Sequence, residues 1–382
     1  MKELIHIVPD EKFIEMAVRE FEIAAPGKNR ILVYGKRRPL KYLTSLSVEF
    51  MGFSEMRKYL KSGNYKAVVL HWMNDVLLRL IQESPQGRGV LWIGWGIDYY
   101  EALIFRGNSA GLYLPKTRRQ LAMKSFPLKP ILSKAIKSAR RIAGRQADYV
   151  SKYLDRLDYF APVLDVEYDL VKAKNPDFKA QFLDWNYGTL EDDLYVEPGK
   201  SRLGDNVLLG NSASYTNNHL ETFDFIENSF ELDGRKLIVP LSYGDNDYAD
   251  FVIRDGKKRF GSLLMPLTEF LPASDYAELV SSCGYAFMNH LRQQAVGNIV
   301  MLMLGGSKVY LNPANPFYTW VTARGGFLEQ ISLDSRAGSK MCLGPLPANV
   351  VARNQQIVVE HWSREASRRR TGKVVKELLG SD

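Results

Sequence analysis

Cysteine is nearly absent from this chain: Cys283 and Cys342 are the only two in 382 residues. Two such residues provide neither a disulfide framework nor the paired spacing of a metal site, and they suit a reducing compartment. Long hydrophobic runs are missing too. The longest apolar stretches have the length of strands, too short to span a bilayer. The N-terminus, MKELIHIVPDEKF, lacks the long apolar stretch and small-residue cleavage site of a signal peptide. A cytoplasmic protein, at most peripheral on a membrane, is therefore expected. Acidic residues vanish locally: positions 102–147 hold no Asp or Glu but eleven Lys and Arg, against a net charge of +8 for the whole chain. The remainder is thus slightly acidic.

What is present is ample apolar material. A content of 46% hydrophobic residues, with 12% aromatic, excludes global disorder and supports well-packed cores, and the length suits two domains. Within 116–145, Leu121, Met123, Phe126, Ile131, Leu132 and Ile136 interleave with the cations. This pattern predicts one or two amphipathic helices broken near Pro127 and Pro130. An anionic membrane surface suits such a segment, as does plain solvent on an ordinary surface helix. Nucleic acid is not expected, because no helix-turn-helix, zinc or RNA-recognition signature accompanies the basic stretch.

Strands and helices alternate from the start. Leu4–Val8, RILVYG (30–35), KAVVLHW (66–72) and RGVLWIG (88–94) read as buried parallel strands, with helices over 11–24, 53–61 and 74–83 between them. DYFAPV (158–163) and AQFLDW (180–185) extend the same sheet, and the aperiodic stretch 186–203 reads as a linker. A second alternation begins with DNVLLG (205–210) and a helix over 217–230. It continues through KLIVPL (236–241), a helix near 248–256, a strand over 260–264, and a helix over 273–282. Residues 274–318 add helix, strand, polar turn, helix and strand, and 354–379 reads as one or two helices. The expected fold class is α/β, with two doubly wound, Rossmann-like domains facing one another across a cleft.

Ligands in such sheets sit at the carboxyl ends of strands, so the loops there carry the candidate chemistry. The turn His290–Asn298 sets Arg292, Gln293, Gln294, Gly297 and Asn298 at a helix start, where unpaired N–H groups and the dipole favour an anion. Gly210, Asn211 and Ser212 precede another helix start without forming a phosphate-loop or dinucleotide fingerprint. Either segment alone is also what an ordinary helix cap looks like. Together they suggest one diphosphate held between them. Asp98, in the turn GWGIDYY, is the candidate general base or else an N-cap for a helix beginning at Tyr99. His71 at a strand end is the second candidate or else a satisfied structural group, and Glu101 is a third choice. Trp92, Trp95, Tyr99 and Tyr100 crowd one loop and suit either sugar stacking or core packing. Asp245-Asn246-Asp247 has D-x-D spacing but precedes a helix, so capping is the better reading.

These residues resemble a family. Gly210-Asn211-Ser212 with Asn218-His219, then Leu271-Pro272 with Tyr276, then Arg292-Gln293-Gln294-Ala295-x-Gly297-Asn298, then Asn315-Pro316-Phe317 are similar to motifs of the TDP-N-acetylfucosamine:lipid II N-acetylfucosaminyltransferases. His71 and Trp95-Gly96-Ile97-Asp98-Tyr99 match more sparsely in the first half. The resemblance implies a GT-B glycosyltransferase that works without a metal or other cofactor. Its C-terminal domain (203–348) would hold a dTDP-sugar through Gly210, Asn211, Ser212, Arg292, Gln293, Gln294, Gly297 and Asn298. Phe270, Leu271 and Asn315 are assigned to the nucleoside and sugar pocket. The N-terminal domain (1–195), carrying the basic segment 116–145, would take a lipid-linked oligosaccharide, with Trp95 and Tyr99 stacking on it and Asp98 or His71 as base. Helices in 349–382 would pack back on the N-terminal domain. The expected setting is the anionic cytoplasmic face of the inner membrane, in O-antigen or common-antigen synthesis. The alternatives are a GT-B transferase using UDP- or GDP-sugars, or a non-enzymatic basic membrane-surface protein.

Overall fold

The computed structural model describes residues 3–124, 154–194, 204–332 and 340–380. Most of the expected amphipathic segment (125–145) and the end of the expected linker lie outside them. The chain divides into two compact units. Among described residues, one unit comprises 3–108, 154–189 and 364–380, and the other 109–124, 190–194, 204–332 and 340–363.

The first unit is built on seven parallel strands: β1 (Leu4–Val8), β2 (Asn29–Tyr34), β3 (Val48–Met51), β4 (Ala67–His71), β5 (Gly89–Ile93), β6 (Tyr159–Ala161) and β7 (Gln181–Phe182). Their spatial order, β3-β2-β1-β4-β5-β6-β7, is the doubly wound order with its reversal between β1 and β4. The central strands are apolar at nearly every position because both faces are covered. Alternate residues Ile5, Ile7, Val68, Leu70, Val90 and Trp92 join one core cluster. Their neighbours Leu4, Val69, Leu91 and Ile93 pack on the other face against Phe21, Val374 and Leu378. The last two belong to the terminal helix Arg364–Leu379, which lies against the helix Phe13–Ala24.

The second unit repeats the plan. Its strands are β8 (Asn206–Leu209), β9 (Phe230–Glu231), β10 (Leu237–Pro240), β11 (Leu264–Leu267), β12 (Cys283–Met288), β13 (Lys308–Leu311), β14 (Glu329–Gln330) and β15 (Met341–Cys342). Six form a parallel sheet in the order β11-β10-β8-β12-β13-β14, reversing between β8 and β12, while β9 and β15 pair separately.

Three expectations change. The strand expected over 260–264 is instead β11, because the preceding helix runs to Phe260 and ends at Gly261 with φ +56°. Pro266 is tolerated there because β11 is an edge strand. The start of the basic segment, helix Pro115–Lys124, belongs to the second unit. Glu221 accepts from Thr117 N (2.9 Å) and Oγ1 (2.6 Å), and Lys116 pairs with Asp224 at 2.5 Å. The C-terminal helices also divide: Ala348–Trp362 packs on the helix Val296–Gly305 in the second unit, and only Arg364–Leu379 rejoins the first.

Candidate active site

In a doubly wound sheet the crevice lies beyond the carboxyl ends of the two strands where the order reverses. In the second unit these are β8 and β12, and the two loops singled out by sequence follow them. Gly210 leaves β8 with φ +66°, and a Cβ there would lie 2.6 Å from Asn217 Oδ1, so only glycine fits this turn. Asn217 is buried and ties the loops together. Its Oδ1 accepts from Asn211 N and from His290 Nε2, each at 2.8 Å. Its Nδ2 donates to Ser212 O (3.0 Å), Ser212 Oγ (3.1 Å) and Ser214 O (3.1 Å). Gln294 adds a second tie, donating to Asn211 Oδ1 at 2.9 Å and accepting from Thr216 Oγ1 at 2.7 Å. Asn211 Nδ2 in turn donates to Tyr243 Oη at 2.7 Å.

The helix Val296–Gly305 starts from this network. Ala295 precedes it at φ +57° and no side chain caps it. Neighbouring helices differ: Asp245 caps Tyr248 N (3.0 Å), as the capping reading of that segment expected, and Asn315 caps Phe317 N (3.0 Å). An uncapped helix start presents first-turn amides and the positive dipole end to a ligand. Gly297 is partly exposed beside it, and Arg292, also partly exposed, donates through Nη1 to Gln293 O at 2.7 Å. Asn298 Nδ2 donates to Tyr276 Oη at 2.8 Å. Asn211, Ser212, Arg292, Gln293, Gln294, Gly297 and Asn298 therefore gather at one crevice, and their chemistry suits a diphosphate. Asn315, fully buried, serves as a helix cap, while Phe270, 73% exposed, and Leu271 sit on the loop after edge strand β11, outside this network. Sequence reasoning did not single out Asn217 or Tyr243; both follow the ends of central strands, and that position was the available signal.

In the first unit the reversal lies between β1 and β4. Phe13, Trp72, Trp95 and Tyr187 converge beyond the strand ends, each at least partly exposed. Trp95 meets Phe13 edge-on at 5.8 Å, Tyr187 edge-on at 6.0 Å, and Trp72 in a stack at 6.5 Å. Trp72 holds φ +85°, a conformation costing of order 1–3 kcal/mol for a bulky residue and common at functional sites. Asp98 lies under this cluster. Its Oδ2 accepts from Met73 N (3.2 Å) and Trp92 Nε1 (3.0 Å), and its Oδ1 from Trp95 N (2.8 Å). It therefore braces three strand-end segments rather than capping a helix at Tyr99; the turn that follows is a short π-helical one, Tyr100–Ile104. Burial pushes its carboxyl up to about 6, against the pull of the Trp95 and Trp92 donors.

His71 is completely buried. Its Nδ1 lies 2.7 Å from Tyr187 Oη and its Nε2 3.0 Å from His6 Nδ1. Burial and the neighbouring His6 hold its pKa well below the ordinary value, so the ring stays neutral and does not itself reach a ligand. Tyr99 is also fully buried, packed against Trp92 and Phe160, and has no free ring face for a sugar. The rings that lie around Trp95 are those of Phe13, Trp72 and Tyr187. Tyr187 was missed because it falls in an aperiodic stretch that reads as a linker.

The folds of solved glycosyltransferases resemble this chain. AviGT4, a glycosyltransferase involved in avilamycin A biosynthesis, is 11% identical over 100% of this chain and 99% of its own, with a TM-score of 0.52. The Anabaena protein HepE, solved in complex with UDP and glucose, is 10% identical over 99% and 100%, with a TM-score of 0.58. The lipopolysaccharide outer core galactosyltransferase WaaB is 8% identical over 98% and 99%, with a TM-score of 0.55. At these identities the likeness establishes the fold, two Rossmann-like sheets of the GT-B type. Residues 157–328 match the family described as 4-alpha-L-fucosyltransferase glycosyl transferase group 56. That match covers a little under half of the chain and includes the motifs from Gly210 to Phe317; it supports a glycosyltransferase.

Proposed function

We propose that the protein transfers a 4-acetamido-4,6-dideoxyhexose from a dTDP-sugar to an undecaprenyl-diphosphate-linked saccharide, in surface-polysaccharide synthesis at the cytoplasmic face of the inner membrane. The observation that carries this reading is the union of Gly210–Ser212 with Arg292–Asn298 at the switch point of the second unit, around an uncapped helix start. The helix amides and Arg292 would neutralise the charge growing on the departing diphosphate. Gln293, Gln294 and Asn298 line the same place, and no metal enters this scheme. The aromatic cluster of the first unit would stack on the acceptor sugar, with Asp98, raised to about 6 and so ionised at neutral pH, as the base for its hydroxyl.

The membrane setting rests on the basic segment from Lys116 onward and on the lipid-linked acceptor. No helix among the described residues is long and apolar enough to cross a membrane. Thermal denaturation with dTDP, UDP and GDP tests the donor: dTDP should stabilise most, and stabilisation by none of the three would end the transferase reading. Sedimentation with anionic and neutral vesicles tests the surface; equal binding to both would reject it.

A further inference from the structure

One aromatic side chain of the second unit is exposed and yet held at both ends. Tyr243, on the loop after β10, is 53% exposed, and among the described residues no aromatic ring packs against its own. Its backbone oxygen accepts from Ala213 N–H at 2.8 Å, and Asp245 N–H donates to Ala213 O at 3.0 Å, a bridge from this loop to the one after β8. Gly244 sits in the bridge at φ +120°; a Cβ there would lie 2.6 Å from Ala213 O, so the close approach requires glycine. At the other end the Tyr243 hydroxyl accepts from Asn211 Nδ2 at 2.7 Å, with Ser212 and Arg292 beside it. An untethered surface tyrosine loses side-chain freedom when a ligand packs on it. Tyr243 is already ordered, so a ligand on its ring avoids that cost.

The ring also marks a direction. β10 lies between β8 and the edge strand β11. Among the described residues, the large apolar side chains exposed in the loops at the carboxyl ends of this sheet are Tyr243 after β10 and Phe270 after β11; none follows β12 or β13. A diphosphate at the β8/β12 switch point thus has an exposed aromatic surface on one side only.

We infer that Tyr243 is a preformed platform for the nucleobase of the donor nucleotide: the base stacks on its exposed ring on the β10 side, while Asn211 ties the same residue to the diphosphate loop. This assignment rests on the donor reading proposed above. Stacking uses the π-face that every base has, so Tyr243 supplies affinity and direction. The choice between thymine and another base is left to groups that meet the base edge.

Isothermal titration calorimetry with dTDP tests it on the wild type, on the ringless variants Tyr243→Ala and Tyr243→Ser, and on Tyr243→Phe. Loss of the ring should raise Kd about tenfold, the effect of removing one base-stacking aromatic. Tyr243→Phe keeps the ring and the backbone bridge and should stay within about threefold of wild type. A thermal midpoint near that of wild type shows each variant folded, as expected at an exposed position. Ringless variants within about twofold of wild type overturn the platform. A phenylalanine variant that weakens as far as they do also overturns it, because the hydroxyl tether to Asn211 would then be what counts. A wild-type protein that binds no dTDP overturns the donor reading and this role together.

Discussion

Replacing Asn217 by alanine would strike the second unit at the residue that joins its two strand-end loops. The side chain is 1% exposed, and its Oδ1 is the acceptor for Asn211 N–H and His290 Nε2. Alanine leaves both donors buried without that acceptor, at about 1–3 kcal/mol each, and also removes the donor for Ser212 and Ser214. Partial relaxation and water entry reduce the sum, so a loss of about 3 kcal/mol is expected. For a unit of this size the transition should fall by roughly 6–12 °C. The second consequence is functional. Saturating dTDP at about 100 times its Kd stabilises wild type by about 2.7 kcal/mol, and this increment should largely disappear, because Gly210–Ser212 and His290–Gln294 no longer hold one another in register. Differential scanning calorimetry with and without dTDP reads both quantities. A midpoint within 2 °C of wild type (roughly the size of a surface substitution) with the dTDP increment intact would refute the reasoning.

Four further outcomes follow from the same geometry. Gly210→Ala should lower the midpoint more than Gly27→Ala. Both glycines have positive φ, but only at Gly210 does the new Cβ meet an atom, Asn217 Oδ1 at 2.6 Å. Asp98→Asn should cut kcat on the order of 10²- to 10⁴-fold and abolish a rise in kcat/KM with pH centred near 6, as read from a pH–rate profile. Trp95→Ala should raise the saccharide KM while leaving the dTDP thermal shift unchanged, since its stacking partners all lie in the first unit.

Stability should fall on acidification. Burial holds His6 at about 4 and His219 at about 3, with His71 and His290 also well below the ordinary value, so these rings bind protons in the unfolded chain near 6.5 but resist them when folded. Their contribution is present above pH 6.5 and drains away toward pH 4. Asp98, raised to about 6, acts the other way as a single group. A melting temperature that stays flat or rises between pH 7 and 4.5 would contradict this balance.

Much of this was legible because the physics was local. Buried parallel strands such as AVVLH (67–71) and GVLWI (89–93) announce themselves as continuous apolar runs, and glycine with short polar residues after such a run marks a strand-end loop. What the sequence hid was decided by tertiary contact. The helix Pro115–Lys124 joins the second unit because Glu221 and Asp224 hold it there. Tyr99 packs inward instead of standing beside Trp95, because an aromatic residue's spacing does not say which side of a turn is filled by Trp92 and Phe160. Strand β11 slid past Gly261 because a helix with good caps outruns its periodic signal. The contacts of buried His6 with His71 and Asn29 join β1 to β4 and β2, which are far apart in sequence.

The central claim is that one diphosphate is held at the β8/β12 switch point. A crystal structure of the protein with dTDP tests it most directly. The account predicts the diphosphate between Gly210–Ser212 and the first turn of Val296–Gly305, with the Arg292 guanidinium on a phosphate oxygen. A nucleotide bound elsewhere, or seated there with Arg292 turned away and the helix amides unengaged, would contradict it.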